Sequence, residues 1–196
     1  MAAGFVYNLK PKEVQEERYD VSTGIRRRGN YILDVTGLPV GSYVPSFTPI
    51  AADLVAKTAR VVVNVGIVEN ADNAATSLKI AKGSYLAEGM FVGTGAKGAK
   101  VKAIDRTNAE YDVVTLDATL GVAVKAGDAL FEASAAGGTT PKNLANSALY
   151  ENHKVADGIN SVALLRAAGE IEPEKLVTPF SAKDKDNLRG WFQFNE

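Results

Sequence analysis

Residues 59–68, Ala-Arg-Val-Val-Val-Asn-Val-Gly-Ile-Val, constrain the fold of this chain more than any other stretch. β-branched side chains fit a pleated sheet and lose χ1 freedom in a helix, so the run predicts a strand. It ends in Glu69-Asn70-Ala71-Asp72-Asn73, a cluster of turn formers. Further strands are predicted at residues 77–80, 85–92, 100–106, 112–116 and 121–124, with Gly or Asn/Asp in most of the gaps. Many short strands with regular turns predict a mainly β protein built on a small barrel- or sandwich-like module.

The flanks differ in texture. Residues 1–50 hold Pro11, Pro39, Pro45 and Pro49, which restrict strands to edges, and the run Arg26-Arg27-Arg28. Tyr31-Ile32-Leu33-Asp34-Val35 alternates like an isolated strand. This stretch is expected to be an extended N-terminal arm that depends on a partner for its order, with residues 51–196 as the β-rich domain. Residues 134–141 are small and polar and predict a long loop, and residues 143–150 a turn of helix. Residues 161–166 predict a buried strand that runs into a turn at Ala168-Gly169. Ser181 followed three residues later by Asp184 resembles a capping box, so a short C-terminal helix is expected over residues 182–189, stopped by Gly190. Trp191-Phe192-Gln193-Phe194 then alternates as a last strand.

A weak internal echo pairs residues 80–88 with residues 124–132. Each has an apolar start, a Gly at the turn (Gly83, Gly127), a Leu after it and a closing Glu. The pattern speaks for glycine turns more than for a repeat.

Chemistry is sparse. There is no cysteine, which removes disulfides, thiolate nucleophiles and thiolate metal sites together. His153 is the one histidine and sits in a polar, loop-like neighbourhood, so neither a nucleophile–base pair nor a zinc site is expected. Gly93-Thr94-Gly95-Ala96-Lys97-Gly98 matches G-x-G-x-x-G, but a dinucleotide site needs a helix next, and residues 99–105 alternate with period two. A hairpin tip is expected there, and no cofactor. None of the 23 acidic residues is set off by an informative spacing, so no catalytic pair is nominated. A formal charge of −1 argues against general nucleic-acid binding. Met1 to Leu9 carries no basic region ahead of a long apolar run, and the longest apolar stretch, residues 61–68, falls far short of the ~20 residues of a membrane span. Neither secretion nor membrane anchoring is expected.

Two sets of residues stand out for contact. Arg26, Arg27 and Arg28, with Tyr31 nearby, suit an acidic partner surface, because guanidinium forks bind carboxylates well. Trp191, Phe192 and Phe194, aromatics on a terminal strand, suit a subunit boundary. Adhesion without catalysis is the reading these features favour.

Several phrases give the chain a family likeness. They are Ile80-Ala81-Lys82-Gly83-Ser84-Tyr85-Leu86, residues 121–130, Val162-Ala163-Leu164-Leu165-Arg166 continuing to Ile171, and the closing Leu188-Arg189-Gly190-Trp191-Phe192-Gln193-Phe194. Over roughly residues 77–196 the chain resembles head fibre and head decoration proteins of tailed bacteriophages. The resemblance implies a virion structural protein on the outer capsid surface, assembled in the host cytoplasm. It implies the major capsid protein as partner, the N-terminal segment as anchor, a homotrimer, and no catalytic residues. Lacking a long repetitive shaft, the chain would project only a short way. A glycan- or small-molecule-binding β module, using the glycine-rich tips at residues 93–98 and 137–138, is the alternative. An enzyme built on acidic residues is the third.

Overall fold

The computed structural model describes residues 18–195. Its strands fall into three groups by position in the chain. The early strands are β1 (Asp20–Arg26), β2 (Tyr31–Asp34), β3 (Tyr43–Val44), β4 (Pro49–Asp53) and β5 (Thr58–Val61). The middle ones are β6 (Asn64–Gly66), β7 (Ser77–Ala81), β8 (Phe91–Gly93), β9 (Gly98–Asp105), β10 (Tyr111–Leu116) and β11 (Ala129–Ala133). The last are β12 (Ser147–Leu149), β13 (His153–Lys154), β14 (Ser161–Val162), β15 (Leu164–Ile171) and β16 (Phe192–Phe194), with the single α-helix α1 (Ala182–Leu188) before β16.

The middle strands form one sheet in the order β6-β11-β8-β9-β10-β7. The sheet curls until its two ends approach. Ile67 and Ile80 form a bridge, and the Val68 N–H donates to the Lys79 carbonyl at 2.9 Å. Alternation explains the curl: Leu78 and Ile80, Ala99 and Val101, Val114 and Leu116 point inward, while Lys100 and Lys102 point out. A closed apolar interior containing Val65, Leu86, Leu120 and Leu130 results. At its rim the buried Asp112 accepts from Lys82 at 2.6 Å and from Arg106 at 2.8 Å, which satisfies a carboxylate that burial alone would make costly.

Except for β3 and β13, which pair with each other in a small two-stranded sheet, the early and late strands interleave in a second, eight-stranded sheet, β1-β15-β12-β4-β5-β2-β14, with β16 parallel to β15. All its other pairings are antiparallel except β2 with β5. Apolar clusters cover both faces. Tyr31, Leu33, Ile50, Val61, Leu149 and Leu164 belong to one, and Phe47, Val62, Leu165, Ile171, Phe180 and Phe192 to the other. The curled sheet is thus inserted between β5 and β12 of the larger one.

Several expectations change here. Residues 18–50 do not run free of the body. β1 and β2 lie in the eight-stranded sheet, and β4 straddles the expected boundary at residue 50. The chain hides this because β1 is a bulged edge strand with an exposed, polar pattern, while its pairing partner β15 lies some 140 positions away. Of the arm expected over residues 1–50, residues 1–17 lie outside the described residues. The run at residues 59–68 is one apolar stretch but two strands. β5 ends in the large sheet, and the chain crosses to the curled sheet through Val62 and Val63. Residues 121–124 contribute only a bridge from Val124 to Ala71. Residues 85–90 hold no strand, only a turn at Glu88-Gly89, and β8 begins at Phe91. Residues 143–150 form β12 rather than a helical turn, and β15 continues through Ala168-Gly169 to Ile171.

The C-terminal helix matches its expected start. Ser181 is the N-cap, with both halves of the capping box in place, and Gly190 follows with φ +89°, the left-handed conformation that glycine adopts without strain.

Candidate partner-binding surface

The arginine run leaves the end of β1. Arg26 and Arg28 are exposed and Arg27 is half-buried. The backbone N–H of Arg27 donates to Leu164 O at 2.7 Å, which fixes the run against β15. The Arg27 side chain donates from Nε to Ser147 Oγ and from a terminal nitrogen to Asn146 O, each at 2.7 Å. Arg26 lies over the Tyr150 ring at 4.5 Å, a cation–π contact made by an exposed side chain. Lys57 stands 4.8 Å above the Tyr31 ring and donates to the Tyr31 hydroxyl at 3.3 Å. Together with Leu54 these residues line a hollow of about 340 Å³.

Arg166, on the outside of β15, lines that hollow as well as a second one of about 270 Å³. In the second, its guanidinium lies 5.8 Å from the centre of the Trp191 ring, with Asn146 and Asn187 beside it. Arg27 and Arg166 are shared by the two hollows, so they make one groove. Trp191 is 56 % exposed at its end. Among the described residues, no ion pair engages Arg26, Arg27, Arg28, Lys57 or Arg166.

The two sets of contact candidates therefore meet on one surface, though not all members reach it. Tyr31 is 2 % exposed, so its ring belongs to the core and meets the groove beneath Lys57. Phe192, 4 % exposed, packs on Phe47 with ring centres 5.9 Å apart. Phe194 lies 5.1 Å from Phe180. Of the three C-terminal aromatics, Trp191 is the one offered to solvent. Arg166 and Lys57 carried no signal in the chain, being single cations in strand or turn contexts. Only the pairing of β1 with β15 brings Arg166 beside the arginine run.

A second concavity, about 330 Å³, lies where the two sheets meet. Its charges are already spent on one another. Arg60 holds Asp34 at 2.6 Å, and Lys142 holds the nearly buried Glu132 at 2.7 Å. The Thr36 hydroxyl and amide, with Arg60, hold the Asp34 carboxyl down at about 2. Tyr85 in the same wall is pushed up to about 12 by burial. Such a cleft offers a ligand few open polar groups.

The glycine motif at residues 93–98 is a hairpin turn, closed by Thr94 N–H to Lys97 O at 2.9 Å, and β9 follows it with no helix. Its tip is covered. Gly138 packs backbone to backbone on Gly93 and Gly98, and the Gly95 N–H donates to Gly138 O at 3.0 Å. The two glycine-rich tips proposed for ligand binding thus close on each other. His153 Nε2 lies 2.9 Å from Asn160 Oδ1, which also accepts from Ala156 N–H, so the ring nitrogen is the donor. Among the described residues no group of three His, Asp or Glu is placed to hold a metal, and no helix is long and apolar enough to cross a membrane.

The pattern of a phage head component, first visible in the chain's turn phrases, extends to its whole length. Residues 1–193 match the family described as head fiber protein. The chain belongs to this family of phage head fibre proteins. No curated protein and no solved structure matches it. This head fibre protein is accordingly a bacteriophage structural protein with an all-β body, and its basic groove lies on a virion component.

Proposed function

We propose that this head fibre protein decorates the outer face of the phage capsid, held on the major capsid protein by the segment that precedes Arg18, and that its copies associate as a trimer. It acts as a structural element, without turnover. The observation that carries this reading is the firm root of that segment. Arg18 donates to Ser46 Oγ at 2.6 Å, to Ser46 O at 3.1 Å and to Lys175 O at 3.2 Å. Tyr19 stacks on Phe47 with ring centres 4.9 Å apart. A tether must transmit load to the body it holds, and this root spreads it over two separate parts of the chain, at Ser46-Phe47 and at Lys175. The family match begins at residue 1, so the segment belongs with the body.

Deleting residues 1–17 tests it. Because β1 begins at Asp20, the truncated chain keeps every strand of the described residues, and its thermal midpoint should match that of the full chain. Co-sedimentation with empty shells should be lost. Shell binding that survives the deletion would sink the anchor. Light scattering of the full chain should give three times the monomer mass, and a strict monomer would remove the trimer.

A further inference from the structure

The groove of Arg27, Arg28, Lys57, Arg166 and Trp191 is a concentration of positive charge on a molecule of net charge −1, so the rest of the surface is correspondingly acidic. Elsewhere the buried-edge cations are matched: Lys82 and Arg106 with Asp112, Arg60 with Asp34, Lys142 with Glu132. The groove cations are held in position by neutral partners instead. Ser147 and the Asn146 carbonyl hold Arg27, and aromatic rings hold Arg26, Lys57 and Arg166. These contacts orient the cations while leaving their charge uncompensated. Like charges gathered without counter-charges repel one another, so the arrangement is most stable with an anionic occupant.

We propose that this groove is a second docking site, independent of the N-terminal segment, for an acidic segment of a protein partner whose carboxylates pair with Arg28 and Arg166 while an apolar side chain packs on Trp191. Guanidinium forks match carboxylates two bonds at a time, and exposed Trp beside Arg is the composition of an interface hot spot. A protein rather than a nucleic acid is favoured for two reasons. The groove ends in Trp191 and includes Leu54, which offer apolar contact. The overall charge gives no field to concentrate a polyanion. This inference goes beyond the decoration role and does not rest on it.

The test uses the full chain and a short peptide of alternating Glu and Ala ending in Leu, followed by titration calorimetry at low salt. Binding is expected, and it should weaken as salt is raised. The double variant R28E/R166E should weaken it at least about tenfold, and Trp191→Ala severalfold. Lys125→Glu, the same charge reversal on an exposed turn of the curled sheet, should leave it unchanged. Deleting residues 1–17 should also leave it unchanged, which separates this site from the shell anchor. Arg28 and Arg166 donate no hydrogen bonds from their side chains among the described residues, so a matching thermal midpoint is expected for the double variant. No binding, equal loss with Lys125→Glu, or tighter binding of duplex DNA of matched charge that R28E/R166E abolishes would each overturn the proposal.

Discussion

Asp184 shows how much of this protein's order hangs on one carboxylate. It is fully buried. Its Oδ1 accepts from Ala145 N–H at 2.8 Å, and its Oδ2 accepts from Asn64 Nδ2 at 2.7 Å, from Ser181 N–H at 3.0 Å and from the Ser181 hydroxyl. Those donors come from the approach to β12, from β6 and from the helix cap. One side chain thus joins the curled sheet, the large sheet and α1. Removing it strands several buried donors, each costing about 1–3 kcal/mol. Asp184→Ala should therefore lower the unfolding free energy by about 3 kcal/mol or more, read as a drop in the urea midpoint. Asp186, two residues on, pairs with Arg189 on the open surface, and Asp186→Ala should change stability by less than about 1 kcal/mol. If the two variants behaved alike, the joining role of Asp184 would be wrong. The capping box was readable from the Ser181–Asp184 spacing. The reach to Asn64 and Ala145 was not, because 120 and 39 positions separate those partners from Asp184.

Among elements, the hairpin β8–β9 and the loop after β11 are held by a three-glycine contact. A Cβ on Gly138 would run into the Lys97 carbonyl and the Gly98 backbone, and φ there is +65°. Its neighbour Gly137 faces open space. Gly138→Ala should destabilise by roughly 2 kcal/mol or more, through overpacking and strain together. Gly137→Ala should fall within about 0.5 kcal/mol of the parent. Thermal denaturation of the pair decides it, and equal midpoints would refute the packing. Strands whose core is local were legible from the chain. β7, β9 and β10 alternate cleanly and pair with near neighbours, so residues 77–80, 100–106 and 112–116 are recovered within a few positions. Strands completed by distant partners were not. β12, only Ser147–Leu149, is fully buried between β4 and β15 and has no alternation to read. β1 is polar and bulged, which is why the first fifty residues looked like an arm. The groove shares that fate: its arginine run and its tryptophan were visible singly, but their adjacency depends on β1 meeting β15.

At the scale of the whole molecule, the two sheets differ in how they use the chain. The curled sheet takes residues 64–133 in one uninterrupted stretch. The large sheet is stitched from residues 20–61 and 147–194. Three of its early strands pair with a partner on the far side of that insertion: β1 with β15, β2 with β14 and β4 with β12. The body can therefore bear contacts on one sheet while the other varies. Charge reversal in the groove leaves the interior of the curled sheet untouched.

The insertion also fixes an order of events during synthesis. Closing short loops costs less chain entropy than closing long ones, so residues 64–133 can complete their pairing as soon as they clear the ribosome. β1 must wait for β15, and β2 and β4 complete their outer pairings only with β14 and β12, all made later. Once formed, the inserted sheet holds its two ends together, the Glu132 N–H donating to Val63 O at 2.8 Å, and turns a distant closure into a short one. Pulse-labelled hydrogen exchange during refolding should show amides of β7, β9 and β10 protected before those of β1 and β15. Simultaneous protection of both sets would mean that the large sheet does not depend on the insertion for its assembly.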